Sequence, residues 1–185
     1  MVNLETTYMG LKLKNPIIVG SSGLTNSVEN IIEIARNGAG AVVLKSLFEE
    51  QIIHAASNTM AQQEYGNYYS EADDYIRNYT RDNDVAKYLE LISESKKAVD
   101  IPIIASVNCV SGSEWIDFAK KVESAGADAI ELNIFILPSD PDKEGTANEA
   151  VYFEIAEKIL ATVKIPVSLK ISYYFSGLAR MITKL

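Results

Sequence analysis

Cysteine and histidine are almost missing from this chain: among 185 residues there is one of each, Cys109 and His54. A lone cysteine forms no internal disulfide, and with a lone histidine it makes no soft-ligand set of the kind that holds zinc, so no metal site is expected. Basic residues are in deficit, 17 Lys and Arg against 25 Asp and Glu, for a net charge of -8. Such a field repels phosphate polyanions and anionic bilayers, which argues against nucleic-acid and membrane partners. No apolar run is long enough to span a bilayer. The opening Met1-Val2-Asn3-Leu4-Glu5-Thr6-Thr7 lacks the basic flank and apolar stretch of a signal peptide. The expectation is a soluble cytoplasmic protein that handles a small molecule.

What is present is repetition. Gly38-Ala39-Gly40-Ala41-Val42-Val43-Leu44-Lys45 returns as Gly126-Ala127-Asp128-Ala129-Ile130-Glu131-Leu132-Asn133. Each copy has glycine punctuation, a short apolar strand and a polar residue at the strand's end. A second pair, Val99 to Asn108 and Val163 to Ser172, carries Ile-Pro before another apolar strand. Strands alternating with amphipathic helices imply a parallel sheet, and ligands gather beyond the carboxyl ends of such strands, where Lys45, Asn108, Asn133 and Lys170 fall.

Thr7 to Pro16 alternates polar and apolar residues around Gly10, which predicts a hairpin able to plug the base of a barrel. Ile17-Ile18-Val19 reads as the first core strand, and Gly20-Ser21-Ser22-Gly23 as a loop whose backbone can approach a ligand closely. Val28, Ile31, Ile32 and Ala35 mark the first helix, and Ala41 to Leu44 the second strand. Residues 46–84 read as one long loop or lid that holds Asn67 and a tyrosine-rich stretch, either a ligand lid or a dimer contact. A second helix is expected from Val85 and a third strand from Pro102 to Val107. Capping boxes at Ser111 to Glu114 and Thr146 to Glu149 open the next helices, the strand Val167 to Ile171 follows, and a last helix runs from Ser176. At 48% hydrophobic, residues 1–185 suit one domain of five βα units. The alternatives are most of a (β/α)8 TIM-type barrel, incomplete at its C-terminus, or a complete five-stranded doubly wound sheet.

The ordered set Asn15-Pro16-Ile17-Ile18, Ser21-Ser22-Gly23, Leu44-Lys45-Ser46, Glu131-Leu132-Asn133 and Val167-Ser168-Leu169-Lys170 resembles the N-terminal part of the class 1 dihydroorotate dehydrogenases and their relatives, over essentially the whole chain. The resemblance implies an FMN-bearing (β/α)8 barrel and tips the fold away from the doubly wound sheet. It implies an oxidoreductase of pyrimidine biosynthesis that passes a hydride from dihydroorotate or a related cyclic amide to the flavin. By the same resemblance Ser21, Ser22 and Gly23 line the flavin ring, Lys45 sits near flavin and substrate, Asn133 bonds either, and Lys170 approaches the pyrimidine edge. Asn108 is placed more loosely with the cofactor, and Lys45, Asn67 and Asn133 are assigned to the substrate. Hydride chemistry on a flavin needs cations and donors where charge develops, and two strand-end lysines supply them. Read without the resemblance, both lysines suit a barrel rim equally well.

Two departures stand out. The family's proton-accepting cysteine or serine lies three residues after Asn133, where this chain has Ile136, or Leu137 if one residue is inserted. Ser139 is the nearest polar candidate for a catalytic role, although Pro-Ser-Asp-Pro also reads as a solvated turn. The loops after the seventh and eighth strands, which hold the flavin phosphate in such barrels, are not part of this sequence. A catalytically inactive relative, or a binding or assembly module, is therefore the alternative.

Overall fold

The computed structural model describes residues 2–48, 70–108 and 114–185, and the backbone alone of residues 70–83 and 114–117. The chain opens with an antiparallel hairpin, β1 (Thr6–Tyr8) and β2 (Leu11–Leu13). Its two central turn residues both take left-handed backbone, Met9 at φ 52° and Gly10 at φ 79°, the twist that suits a two-residue hairpin. Then follow β3 (Ile18–Val19), α1 (Val28–Arg36), β4 (Ala41–Val43), β5 (Leu47–Phe48), α2 (Ser70–Ala98), β6 (Ile103–Asn108), α3 (Glu114–Ser124), β7 (Ala129–Ile134), α4 (Gly145–Leu160), β8 (Val167–Ile171) and α5 (Leu178–Lys184).

Strands β3 to β8 form one parallel sheet in the order β3-β4-β6-β7-β8, with β5 also pairing β6. The order follows the chain without reversal. A doubly wound sheet reverses at a switch point, so this winding is that of a barrel wall, here five strand positions long.

Side-chain alternation gives the sheet two apolar faces. Val42, Leu44, Ile103, Ala105, Ile130 and Leu132 face the helices and pack with Ile31, Ile92, Val122 and Ile159, one fully buried residue from each of α1 to α4. Burying each of these four helix residues contributes roughly 1.5–3 kcal/mol. The inner face carries Ala41, Val43, Ile104 and Ala129, closed from below by Leu13 with Met9 and Leu11 packed against it. The hairpin is thus the expected plug, and the remaining inward positions above it are polar.

The repeated glycine phrase has a geometric cause. Gly38 (φ 94°) and Gly126 (φ 95°) end α1 and α3 in left-handed backbone. Gly38 N–H donates to Ala35 and Ala39 N–H to Ile34, and Gly126 and Ala127 repeat this pattern onto Glu123 and Val122. The two bonds of each turn are those of a Schellman motif, which satisfies the last helical carbonyls and sends the chain into the next strand.

Three boundaries differ from expectation. The second main helix begins at Ser70 rather than Val85, so residues 46–84 are not one loop: Leu47–Phe48 adds to the sheet and the stretch from Ser70 is helical. Glu71, Asp73 and Asp74 fall in the first turns of this helix. The helix expected to be capped by Thr146 starts at Gly145 with Glu144 at the cap position, because the Glu144 carbonyl takes the first N–H groups, from Ala147 and Asn148. Thr146 then lies inside the first turn, its hydroxyl turned to the Glu144 carboxylate at 3.3 Å. The last helix starts at Leu178, two residues later than Ser176, after the tight turn in which Phe175 N–H donates to the Tyr173 carbonyl.

Candidate functional site

The second strand position is broken, and the break shapes the upper end of the barrel. On β6 the paired residues Ile104 and Val107 are three apart, while their partners Val43 and Leu47 are four apart, so Leu44 to Ser46 contain one extra residue. Such a bulge is uncommon in parallel pairs and re-aims the side chains beside it. It also strips the ladder locally. The Pro102 and Ile104 carbonyls bond toward β4, accepting from Val42 and Leu44 N–H. By the same two-residue period Ser106 turns its backbone to the bulge. Tyr88, from α2, fills that gap: its hydroxyl donates to the Ser106 carbonyl at 2.8 Å and accepts the Ser106 N–H at 2.9 Å. Burial, offset in part by the bond to Ser106, pushes the Tyr88 phenol well above its ordinary value, which keeps it neutral and able to donate.

With the bulge held open, the Ser46 hydroxyl lies 2.7 Å from that of Ser106 and 3.1 Å from that of Ser21, which also accepts the Ser46 N–H at 2.9 Å. Ser106 in turn donates to Glu131 Oε1 at 3.0 Å, and Lys170 Nζ donates to the same oxygen at 2.7 Å. A continuous polar line therefore crosses the barrel wall from the loop after β3, through β4–β5, β6 and β7, to β8. Ser46 and Ser106 are buried, Glu131 is 17% exposed at its side chain and Lys170 45%, so the line runs from the packed wall to the open mouth.

The expected site residues divide around this line. Ser21 and Lys170 belong to it. Asn133 pairs with Lys170 in register, half-buried, and Asn108 ends β6 opposite Phe48. Ser22 is committed elsewhere: its hydroxyl accepts Leu24 N–H while Thr25 answers onto the Ser22 N–H, a reciprocal cap of the short turn Gly23–Thr25. Lys45 is exposed and opens onto a cleft of about 340 Å³ lined with Ser46, Asp84, Lys87 and Tyr88, beside α2 rather than beside Lys170. Asn67, His54 and Cys109 lie outside the described residues.

The vacant base position is resolved in part. Ile136 packs against the helix-side core, and its N–H donates to the Tyr152 hydroxyl at 3.3 Å. Leu137 is exposed, as is Phe135, whose ring meets Tyr174 edge-on at a centroid distance of 6.0 Å. Ser139 is an exposed turn residue: its N–H donates to the Leu137 carbonyl, and the next residue, Asp140, accepts Asp142 N–H. None of the hydrogen bonds among the described residues joins it to the line. No group of three or more His, Cys, Asp or Glu among the described residues could hold a metal ion, and no described helix is long and apolar enough to cross a membrane.

Sequence reasoning missed Glu131, Ser106, Ser46 and Tyr88. Glu131 and Ser106 stand two residues before Asn133 and Asn108, so a two-residue period already places them on the same inward face. Ser46 and Tyr88 carry no such signal, because their roles depend on the bulge.

Sheet winding defines part of a parallel α/β barrel wall, with a polar strand-end set as the candidate site. The family model for dihydroorotate dehydrogenase matches residues 3–179, and the chain belongs to that family. It is 32% identical over 185 residues to the dihydroorotate dehydrogenase B (NAD(+)) catalytic subunit of Thermoplasma volcanium, covering 93% of this chain and 55% of that protein. It is 28% identical to the same-named subunit of Thermoplasma acidophilum, with the same coverage. The chain therefore spans about half the length of these relatives. Among solved structures it resembles an IMP dehydrogenase/GMP reductase-like protein of Corynebacterium glutamicum (TM-score 0.52, 14% identity, 99% of this chain and 46% of that one). It likewise resembles a dihydrodipicolinate synthase of Oceanobacillus iheyensis (TM-score 0.51, 13% identity, 91% and 48%). These likenesses concern the fold alone.

Proposed function

We propose that this chain is the ring-binding half of an FMN-dependent oxidoreductase of the dihydroorotate dehydrogenase type, acting on dihydroorotate or a related cyclic amide. The observation that carries the reading is the polar line ending in Lys170, at the strand ends where the family resemblance puts the flavin. The residues fit such a group. A Cβ built on Gly20 or Gly23 meets nothing within 4 Å, so the loop after β3 leaves open room beside Ser21. The polar line that starts at the Ser21 hydroxyl ends on the Lys170 cation, with the Asn133 amide paired beside it in register, and these are donors and acceptors of the kind a pyrimidine-like edge requires. FMN, when bound, supplies the hydride acceptor. Lys170 would place positive charge where negative charge develops and Asn133 would orient the ring or the substrate, while Lys45, which opens onto the cleft beside α2, is not assigned to that substrate. The subunit names of the relatives extend the proposal to assembly with a further subunit.

Neither Ile136 nor Leu137 accepts a proton, and general-base help is typically worth 10²–10⁴-fold, so dihydroorotate is expected to be a slow substrate. Flavin titration of the purified chain tests the reading. Saturable perturbation of the FMN spectrum is expected, with a Kd weaker than about 1 μM (about 8 kcal/mol), since the phosphate loops are not in this sequence. No perturbation at millimolar FMN would sink it. The second arm is anaerobic bleaching by dihydroorotate: Leu137→Cys, on the exposed side of the loop, should accelerate it, whereas Ile136→Cys, facing the core, should not.

A further inference from the structure

The hydrogen bonds around Glu131 can be given directions by counting hydrogens. Each serine hydroxyl carries one. Ser106 spends its hydrogen on Glu131, so the short contact between Ser46 and Ser106 is donated by Ser46. Ser46 then has none left, and its contact with Ser21 is donated by Ser21. Every hydroxyl in the line points toward the same carboxylate oxygen, which Lys170 approaches from the other side.

We infer that Glu131 is the positioning residue of the mouth: it holds the Lys170 ammonium over the inner face and orients the hydroxyl line so that Ser21 meets a ligand only as an acceptor. Ser21 has already donated its hydrogen and also accepts the Ser46 N–H. A ligand atom that reaches Ser21 must therefore bring an N–H or O–H, while one that reaches Lys170 must bring a lone pair. This rests on the flavin and cyclic-amide reading only for the ligand's identity; the hold on Lys170 is a property of the chain. Without Glu131 nothing in the line fixes the lysine, whose half-exposed stem is otherwise free to turn to solvent.

Selective amine acetylation of the 185-residue chain, read residue by residue by mass spectrometry, tests the hold without any ligand. In Glu131→Gln the rate at Lys170 should rise about fivefold, equivalent to about 1 kcal/mol at 1.36 kcal/mol per tenfold, while exposed Lys158 and Lys164 keep their rates. Ser106→Ala, which keeps the carboxylate but removes its orienting hydroxyl, should give a smaller rise at Lys170 alone and serves if Glu131→Gln does not fold. Unchanged Lys170 labelling in both variants, or a rise shared by all three lysines, overturns the inference. Adding FMN separates the two claims. Protection of Lys170 in the unsubstituted chain but not in Glu131→Gln supports the positioning role toward that ligand. Absence of protection in the unsubstituted chain tells against the flavin reading and leaves the labelling result to decide the role of Glu131.

Discussion

At the lower end of the sheet, where strands begin, side chains serve the backbone; at the upper end, where strands finish, they serve one another. Below, Asp128 accepts Ile103 N–H at 2.7 Å and both its oxygens take Lys96 Nζ. Glu123 accepts Lys164 and Ile165 N–H, and Asn15 accepts Ile17 N–H while donating to the Gly38 carbonyl. Each clamp closes a helix-to-strand turn and spends the side chain's bonding capacity on the fold. Above, Ser21, Ser46, Ser106, Glu131 and Lys170 bond in sequence, and the line ends on groups that still face the mouth. A polar group satisfied by backbone is a structural element, whereas one satisfied by a chain with an open end can exchange a partner for a ligand.

Tyr88 stands between the two patterns, since it serves backbone but does so at the upper end. Tyr88→Phe is expected to have the largest effect on stability, roughly 2–4 kcal/mol, because it leaves a buried N–H and a buried carbonyl of Ser106 unpaired. Chemical denaturation measures it, and a loss below about 0.5 kcal/mol would mean that the bulge closes onto Ser106 unaided. The same residue predicts an alkaline sensitivity. Its phenol is pushed above the usual 10.0 in the folded chain. The stability this neutral group contributes is fully present below about pH 10 and falls as pH rises beyond it, since the unfolded phenol ionises first. Phenylalanine should remove that part of the alkaline slope.

Asp128→Ala tests the lower pattern, with an expected loss of about 1–3 kcal/mol from an unsatisfied Ile103 N–H and a released Lys96. Ligand binding at the mouth should be unchanged once the folded fraction is corrected for. Loss of binding without loss of stability would break the division between the two ends. The smallest effect belongs to Arg36→Ala: Arg36 and Glu33 are 71% and 63% exposed, and the change is expected to stay within about 0.5 kcal/mol by thermal denaturation.

Local chemistry made much of this legible beforehand. Gly10 marked the hairpin, Gly38 and Gly126 marked the two helix ends, and the Ile-Pro pairs announced strands, because positive φ and a missing N–H are properties of single residues. The strand ends also pointed to Lys170 and Asn133, since a two-residue period is visible in any strand. Ser22 and Ser139 were harder to read, because a short polar side chain suits a turn cap as well as a ligand, and only the geometry shows which bonds are made.

What the sequence determined alone was the alternation of strands and helices, the inward or outward parity of each strand residue, and the ordered motifs that mark the family. Tertiary structure decided the rest. A five-strand βα pattern fits both a doubly wound sheet and a barrel wall, and only the unreversed strand order excludes the first. Ser46, Lys45 and Tyr88 depend on one inserted residue at the β4–β5 bulge, whose consequence is set by what packs against it from α2. Ile136 and Leu137 are adjacent and chemically alike, yet one faces the core and the other solvent, because beyond the strand's end no local period assigns a side chain to a face.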